Sequence, residues 1–173
     1  MKRWVRRGLP ALALLVLLLC TACGAGDVQD GGADAQRPYT CTVSISCATI
    51  LDNMDKCKAD KQALVPSDGV ILPETEVSFA GGESVFDVLQ RVCRDNKIHM
   101  ESSWTALYKS AYIEGIHNLY EFDVGERSGW MYEVNGWFPN YGCSGYTLQD
   151  GDVVRWVYTC DLGADVGGAV EEP

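Results

Sequence analysis

The sequence predicts an α+β fold with one main helix and a second half that is mostly β. Strict polar/apolar alternation over residues 39–47 indicates a half-buried strand. A capped apolar stripe over residues 84–96 indicates an amphipathic helix. Beyond residue 128, β-branched and aromatic segments separated by turn residues indicate further strands. We expect the helix to cover the apolar face of the first strand.

The first strand presents its apolar side chains on one face and Thr or Ser on the other. The apolar set is Tyr39, Cys41, Val43, Ile45 and Cys47. Residues 49–58 are compatible with a short helix or turn. Residues 61–73 contain two prolines and a Ser-Asp-Gly turn, so they predict mainly a connection, and residues 74–79 predict a short strand.

The helix begins with a capping signal. Ser84 and Asp87 have the spacing of a capping box, in which each side chain accepts a hydrogen bond from the other residue's backbone N–H. The apolar stripe that follows is Val85, Val88, Leu89 and Val92. We expect the helix to end near Asn96.

The second half contains two further strand signals. Residues 129–134, the dipeptide Asn135-Gly136 and residues 137–138 predict a hairpin with a type I′ turn. Residues 153–160 predict a last strand, with Trp156 on its buried face and Arg155 on the other.

The N-terminal residues are typical of an export signal. A basic start precedes the apolar run 11–19, which is too short to span a bilayer stably. The run ends in Leu-Cys-Thr-Ala-Cys-Gly, which resembles the lipobox of bacterial lipoproteins with Cys23 as the lipidated residue. The alternative is an ordinary cleaved signal peptide. We expect anchoring to the outer face of the bacterial cytoplasmic membrane through Cys23.

This organisation gives four segments. Residues 1–22 are the predicted lipoprotein signal peptide, and 23–38 are the lipidated cysteine with a flexible Gly/Ala/Asp-rich tether. Residues 39–161 form the predicted folded domain, and 162–173 an acidic tail.

The net charge excludes a class of partner. The chain carries 14 basic and 24 acidic residues, a net charge of −10. Removing the leader's four basic residues leaves 10 basic against 24 acidic residues, or −14. Such a surface argues against nucleic-acid binding, which needs a basic face.

The segment 128–159 resembles a bacterial family that is similar to the C-terminal β-domain of transcobalamin and intrinsic factor. The resemblance is carried by Gly-Trp-x-Tyr-x-Val-Asn-Gly at 129–136, an aromatic loop, and Tyr-x-Leu-x-Asp-Gly-Asp-x-Val-x-Trp at 146–156. It extends over residues 41–161, because the helix at 84–96 also matches. It implies a β-grasp-like mixed sheet packed on one helix, in an extracytoplasmic module without catalytic activity.

The resemblance also implies a ligand. In the cobalamin carriers this domain is one jaw of a clamp whose other jaw is a large helical domain. This sequence contains no such helical domain, so we do not expect tight cobalamin capture by the β domain alone.

Six cysteines remain after the leader and the lipidated residue. The β-grasp topology implied by the resemblance makes the first and last strands parallel neighbours, and it suggests the pairs Cys41–Cys143, Cys47–Cys160 and Cys57–Cys93. The alternative is fewer bridges, with Cys41 or Cys93 as a buried thiol. No C-x-x-C occurs, so the spacing does not favour a zinc site, and we expect no metal.

Catalysis has little support in the sequence. Two histidines occur, and the cysteines are expected to be paired rather than activated. The segment 142–146 lacks the second glycine of G-x-S-x-G. We therefore expect no enzyme and no cofactor.

The aromatic residues of the second half give the stronger signal. A loop with three aromatic side chains must pack them inward or present them to a ligand. Together with the connection over residues 108–127, this loop supplies the predicted ligand-binding set: Tyr108, Tyr112, His117, Asn118, Trp137, Phe138, Asn140 and Tyr141.

The expected function is an extracytoplasmic, lipid-anchored ligand-binding module, with a corrinoid as the ligand implied by the resemblance and a transporter as a possible recipient. The alternative is a cell-surface protein-interaction or assembly module without a small-molecule ligand. Carbohydrate binding through stacked aromatic rings is compatible with the composition, but no specific motif supports it.

Overall fold

The computed structural model describes residues 38–106 and 109–168. The described strands and the helix are, in chain order, β1 (Tyr39–Ser46), β2 (Val70–Phe79), α1 (Val85–Asp95), β3 (Met100–Thr105), β4 (Ser110–Ile116), β5 (Leu119–Tyr120), β6 (Gly129–Val134) and β7 (Val153–Thr159). The predicted leader, Cys23 and most of the tether lie outside the described residues.

A four-stranded sheet in the order β2-β1-β7-β6 forms the centre of the fold. β1 and β7 are parallel neighbours, with Thr42 opposite Val153 and Ser46 opposite Val157. The other two pairings are antiparallel. The α+β class and the mixed sheet are therefore confirmed, as is the parallel pairing of the first and last strands.

The alternating pattern of β1 produces the predicted buried face. Cys41, Val43, Ile45 and Cys47 are buried, while Tyr39 at the strand's start is half-exposed. Helix α1 buries its predicted stripe in the same core cluster. Its N-terminus has the predicted capping box, in which Ser84 Oγ accepts from Asp87 N at 3.2 Å and Asp87 Oδ2 accepts from Ser84 N at 2.8 Å.

Strand β2 is longer than the sequence predicted. It begins at Val70, inside the segment assigned to a connection, and it includes Pro73. Proline is tolerated here because β2 is an edge strand and its pairing with β1 is irregular between Val43 and Ile45.

The predicted hairpin after β6 is wrong in its second arm. Asn135 and Gly136 both have positive φ and form the expected tight turn. Trp137 makes a single bridge to Val134, and the antiparallel partner of β6 is instead β7. Pro139, which lacks an N–H, follows too soon for a second strand to continue.

The segment between α1 and β6 contains a second sheet of three strands, in the order β3-β4-β5, and the connection predicted over residues 108–127 holds β4 and β5. Its buried residues, such as Ile113, Ile116 and Leu119, join the same core cluster. In the described part of the chain, no helix is long and apolar enough to cross a membrane. Beyond β7, residues 164–166 form a 3₁₀ turn within the segment assigned to the tail.

Candidate ligand-binding groove

The site forms at the edge of β4 that faces away from β3. β5 pairs with β4 at Gly115 and Ile116, so the start of β4 has a free edge on that side. The loop after β6 occupies this edge. Ser144 Oγ accepts a hydrogen bond from Ala111 N at 3.0 Å and lies 2.8 Å from Ser110 Oγ. These contacts fix the loop against β4.

Gly142 allows the close approach of loop and strand. A β-carbon at this position would overlap the Ser110 side chain and come within 3.2 Å of the Ala111 carbonyl oxygen. A larger residue would therefore push the loop away from β4.

An open groove with a volume of about 250 Å³ lies between the start of β4 and this loop. Its lining residues are Thr105, Ser110, Ala111, Tyr112, Pro139, Asn140, Tyr141 and Gly142. The lining has no charged side chain. It offers apolar surface from proline and tyrosine, and hydroxyl and amide groups that donate or accept hydrogen bonds.

Tyr112 is held in place at the groove. Its hydroxyl donates to Glu121 Oε2 at 2.5 Å. Burial, together with the adjacent Glu121 carboxylate, raises the pKa of Tyr112 above its ordinary value of 10.0. The phenol is therefore protonated at neutral pH.

A smaller inner cavity of about 180 Å³ adjoins the groove and shares Ala111, Tyr112, Pro139 and Gly142 with it. The remaining lining residues of the inner cavity are Ile113, Trp130, Met131, Tyr132, Cys143 and Trp156. Tyr132 connects this cavity to the loop, because its hydroxyl donates to the Tyr141 carbonyl at 2.9 Å. The groove and the inner cavity are thus neighbours that share part of their walls.

Aromatic rings form the outer rim of the loop. Trp137 is 53% and Tyr141 45% exposed, and their ring centroids lie 6.1 Å apart. The Tyr141 ring is nearly parallel to Tyr146, with centroids 6.4 Å apart. This row presents exposed π faces beside the groove.

The structure brings together part of the predicted set. Tyr112, Asn140 and Tyr141 line the groove, and Trp137 lies next to Tyr141. Phe138 is half-buried, with its ring over Gly168. Tyr108 lies outside the described residues.

His117 and Asn118 lie elsewhere. Both have positive φ in the two-residue turn between β4 and β5. The His117 N–H donates to His99 O at 2.7 Å, and the Asn118 carbonyl accepts from Lys61 Nζ at 2.8 Å. His117 lies five residue steps beyond Tyr112, about 17 Å along β4. His117 and Asn118 therefore form the turn between β4 and β5 rather than line the groove.

Sequence reasoning missed the residues that build the groove wall, namely Ser110, Ala111, Pro139, Gly142 and Ser144. A usable signal was present: a glycine within an aromatic loop often marks the close approach of another backbone. Ser110, the residue of β4 that packs against Gly142, had no comparable signal in the sequence.

The six cysteines of the domain are buried, except for Cys160, which is half-buried. No disulfide joins them in the described part of the chain, so the pairing stays a prediction. The Cys160 thiol donates to the Thr49 hydroxyl at 3.8 Å. Among the described residues, no group of three or more His, Cys, Asp or Glu side chains is placed to hold a metal ion.

A larger open cavity of about 580 Å³ lies elsewhere. Its lining is mainly charged and polar, and Arg127 and Asp161 form an ion pair there at 3.0 Å. It has no aromatic side chain. We therefore place the candidate site at the groove, despite its smaller volume.

Parts of this chain resemble a known protein family and a solved structure. A family model described as a domain of unknown function, DUF4430, matches residues 82–160. No curated protein matches the chain. The crystal structure of haptocorrin in complex with Cbi aligns with a TM-score of 0.54 at 15% identity, covering 73% of this chain and 26% of haptocorrin.

A second solved structure is that of "a putative metal binding protein" from Ruminococcus gnavus ATCC 29149. It aligns with a TM-score of 0.41 at 16% identity, covering 70% of this chain and 96% of that one. The chain spans about a quarter of haptocorrin's length. Residues 82–160 are thus similar to DUF4430, and the chain shares its fold with part of haptocorrin.

Proposed function

We propose that the chain is an exported, lipid-anchored module that binds a corrinoid-type ligand at the groove between β4 and the 137–142 loop. The observation that carries the proposal is the groove itself. It combines exposed aromatic rings, the Asn140 amide and the Tyr112 phenol, without a charged lining residue. Such a lining suits a large, flat, neutral ligand with polar edges.

The size of the groove defines how this ligand binds. A volume of about 250 Å³ is below the range of pockets that enclose a drug-sized molecule. The groove therefore holds an edge of the ligand while its flat face stacks on Tyr141 and its margin contacts Trp137, whose ring is inclined by 59° to that of Tyr141. The shared fold with part of haptocorrin, whose crystal contains Cbi, supports a corrinoid as the first ligand to test.

The chemistry of the thiols supports binding rather than nucleophilic catalysis. Burial raises the pKa of Cys143, next to the groove, to about 12. A thiol with such a pKa is protonated at neutral pH and is a poor nucleophile.

Titration of the purified chain with cobalamin and with cobinamide tests the ligand. We expect heat release in calorimetry and a change in the corrinoid absorbance spectrum. No heat and no spectral change at high micromolar corrinoid would rule out binding by this chain alone.

Export and anchoring depend on the predicted lipobox. In a bacterial host, the Cys23→Ala variant should lose its lipid and no longer fractionate as a lipoprotein, whereas Cys20→Ala should stay in the membrane fraction. Equal membrane retention of both variants would contradict lipidation at Cys23.

A second candidate function is docking to a surface protein through the exposed ring row of Trp137 and Tyr141. Affinity capture from membranes with the wild-type chain and with Trp137→Ala separates the two functions. Loss of one defined partner in the variant, without any corrinoid binding by the wild type, favours docking.

A further inference from the structure

Trp156 carries an unpartnered hydrogen-bond donor. Its side chain is 2% exposed, and its indole Nε1 is the buried side-chain N or O atom without a partner among the described residues. Leaving a buried donor unpaired destabilises a folded protein, so such a group calls for an explanation.

The neighbouring aromatic donors are all satisfied. Trp130 Nε1 donates to Leu119 O at 2.8 Å. The hydroxyl of Tyr132 donates to Tyr141 O at 2.9 Å, and that of Tyr158 to Tyr120 O at 2.7 Å. The fold therefore pairs its buried aromatic donors around Trp156 and leaves this one unpaired.

Trp156 also lines the inner cavity next to the groove. The cavity volume of about 180 Å³ equals the share of roughly six water molecules in the liquid, enough for an amide group with a short alkyl stem. No lining side chain is charged, so a carboxylate would enter without a counter-ion and at a high desolvation cost.

We propose that the inner cavity is a subsite for a neutral carbonyl group, such as a primary amide at the edge of the ligand, with Trp156 Nε1 as its donor. This subsite rests on the proposed function, because the inner cavity adjoins the groove and shares four lining residues with it. The indole nitrogen is sealed from solvent, so a lining side chain must shift as the carbonyl enters.

The test uses the full chain labelled with ¹⁵N-tryptophan, with the Trp156 indole resonance assigned by Trp156→Phe. Propionamide is the probe, and propionate is the charged control of the same size. We expect a saturable downfield shift of the Trp156 indole proton with propionamide and a much smaller one with propionate. An unchanged Trp156 indole resonance, with shifts at Trp104 or Trp137 alone, would overturn the subsite. An ordered water on Trp156 Nε1 that propionamide does not displace would overturn it too.

A second arm compares Trp156→Phe with wild type in the cobinamide titration. Loss of one hydrogen bond predicts affinity weaker by about fivefold. If the wild type binds cobinamide, but propionamide does not shift the Trp156 indole proton and Trp156→Phe does not change the affinity, the subsite is wrong and the proposed function stands. If wild type binds no corrinoid but propionamide shifts Trp156, the corrinoid proposal is wrong and the subsite stands.

Discussion

Gly142 packs directly against Ser110, so closely that a β-carbon on Gly142 would overlap the Ser110 hydroxyl. This contact joins a loop and a strand that lie about thirty residues apart, and it fixes the width of the groove. The side chains that line the groove on both sides depend on it for their spacing.

Replacing this glycine tests that dependence. Gly142→Ala should lower the free energy of unfolding by about 1–3 kcal/mol, because the added methyl group overpacks the contact with β4. Gly145→Ala is the matched control, since its β-carbon would lie 3.5 Å from the Tyr141 ring, an ordinary contact. Equal urea midpoints for the two variants would show that the loop yields freely.

Removing the capping box should destabilise helix α1. Ser84→Ala removes the acceptor of the Asp87 N–H and should cost about 1 kcal/mol. Ser67→Ala, at an exposed loop position, should change stability by less than about 0.5 kcal/mol. Thermal unfolding measures both, and a Ser84→Ala protein as stable as the Ser67→Ala protein would contradict the role of the cap.

Asp123 is a buried carboxylate between two lysines. It lies 3.0 Å from Lys58 Nζ and 3.6 Å from Lys61 Nζ, and it also accepts from Tyr120 N at 2.8 Å. Asp123→Ala should destabilise the fold by about 3 kcal/mol, because the Tyr120 N–H and the partly buried Lys61 lose their partner. Asp95→Ala, at an exposed ion pair, should cost less than about 1 kcal/mol. Similar losses in chemical denaturation would contradict this assignment.

With the buried cysteines reduced, the free energy of unfolding should fall as the pH becomes alkaline. Oxidation to disulfides should abolish this dependence. Burial raises the pKa of Cys41 to about 11 and that of Cys47 and Cys93 to about 12, from 9.0. Because the folded pKa lies above the unfolded one, this stabilisation is complete below pH 9. It is lost as the pH rises from 9 towards 12.

Urea midpoints at pH 7, 9 and 10.5, with and without reductant, measure this dependence. The reduced protein should lose stability more steeply above pH 9, since disulfides leave no thiol to ionise. Intact mass should also differ by six hydrogens if three bridges form. Identical pH curves and identical masses would show that the predicted bridges are absent.

Removing Tyr141 from the exposed ring row should weaken ligand binding specifically. Tyr141→Ala removes a stacking face and should weaken cobinamide binding by about five- to tenfold. Phe122→Ala is the matched control, because Phe122 is also about half-exposed but does not line the groove. Equal affinities of the two variants in calorimetry would argue against stacking on Tyr141.

The sequence predicted the elements that local rules determine. β1 alternates with period two, and α1 has both a cap and an apolar stripe, so their buried faces were confirmed. β3 was missed because its segment, Met-Glu-Ser-Ser-Trp-Thr, is largely polar and lacks the alternation of a half-buried strand. The second sheet is held together by pairing with β4, which a local pattern does not reveal.

The groove was predictable only in part for the same reason. An aromatic loop identified Asn140 and Tyr141, and Tyr112 came from the connection assigned to function. The wall between them depends on Gly142 meeting Ser110, a contact between small residues that has no periodic signature. His117 and Asn118 were predicted because they lie in the connection before β6, yet their backbone conformation places them in a turn.

The location of ligand binding can be measured directly by titrating the uniformly ¹⁵N-labelled chain with cobinamide and following its backbone amides. We expect the largest shifts at the groove, on Ala111, Tyr112, Asn140 and Gly142. Shifts concentrated instead at the charged cavity, around Lys56, Arg127 and Asp165, would contradict it.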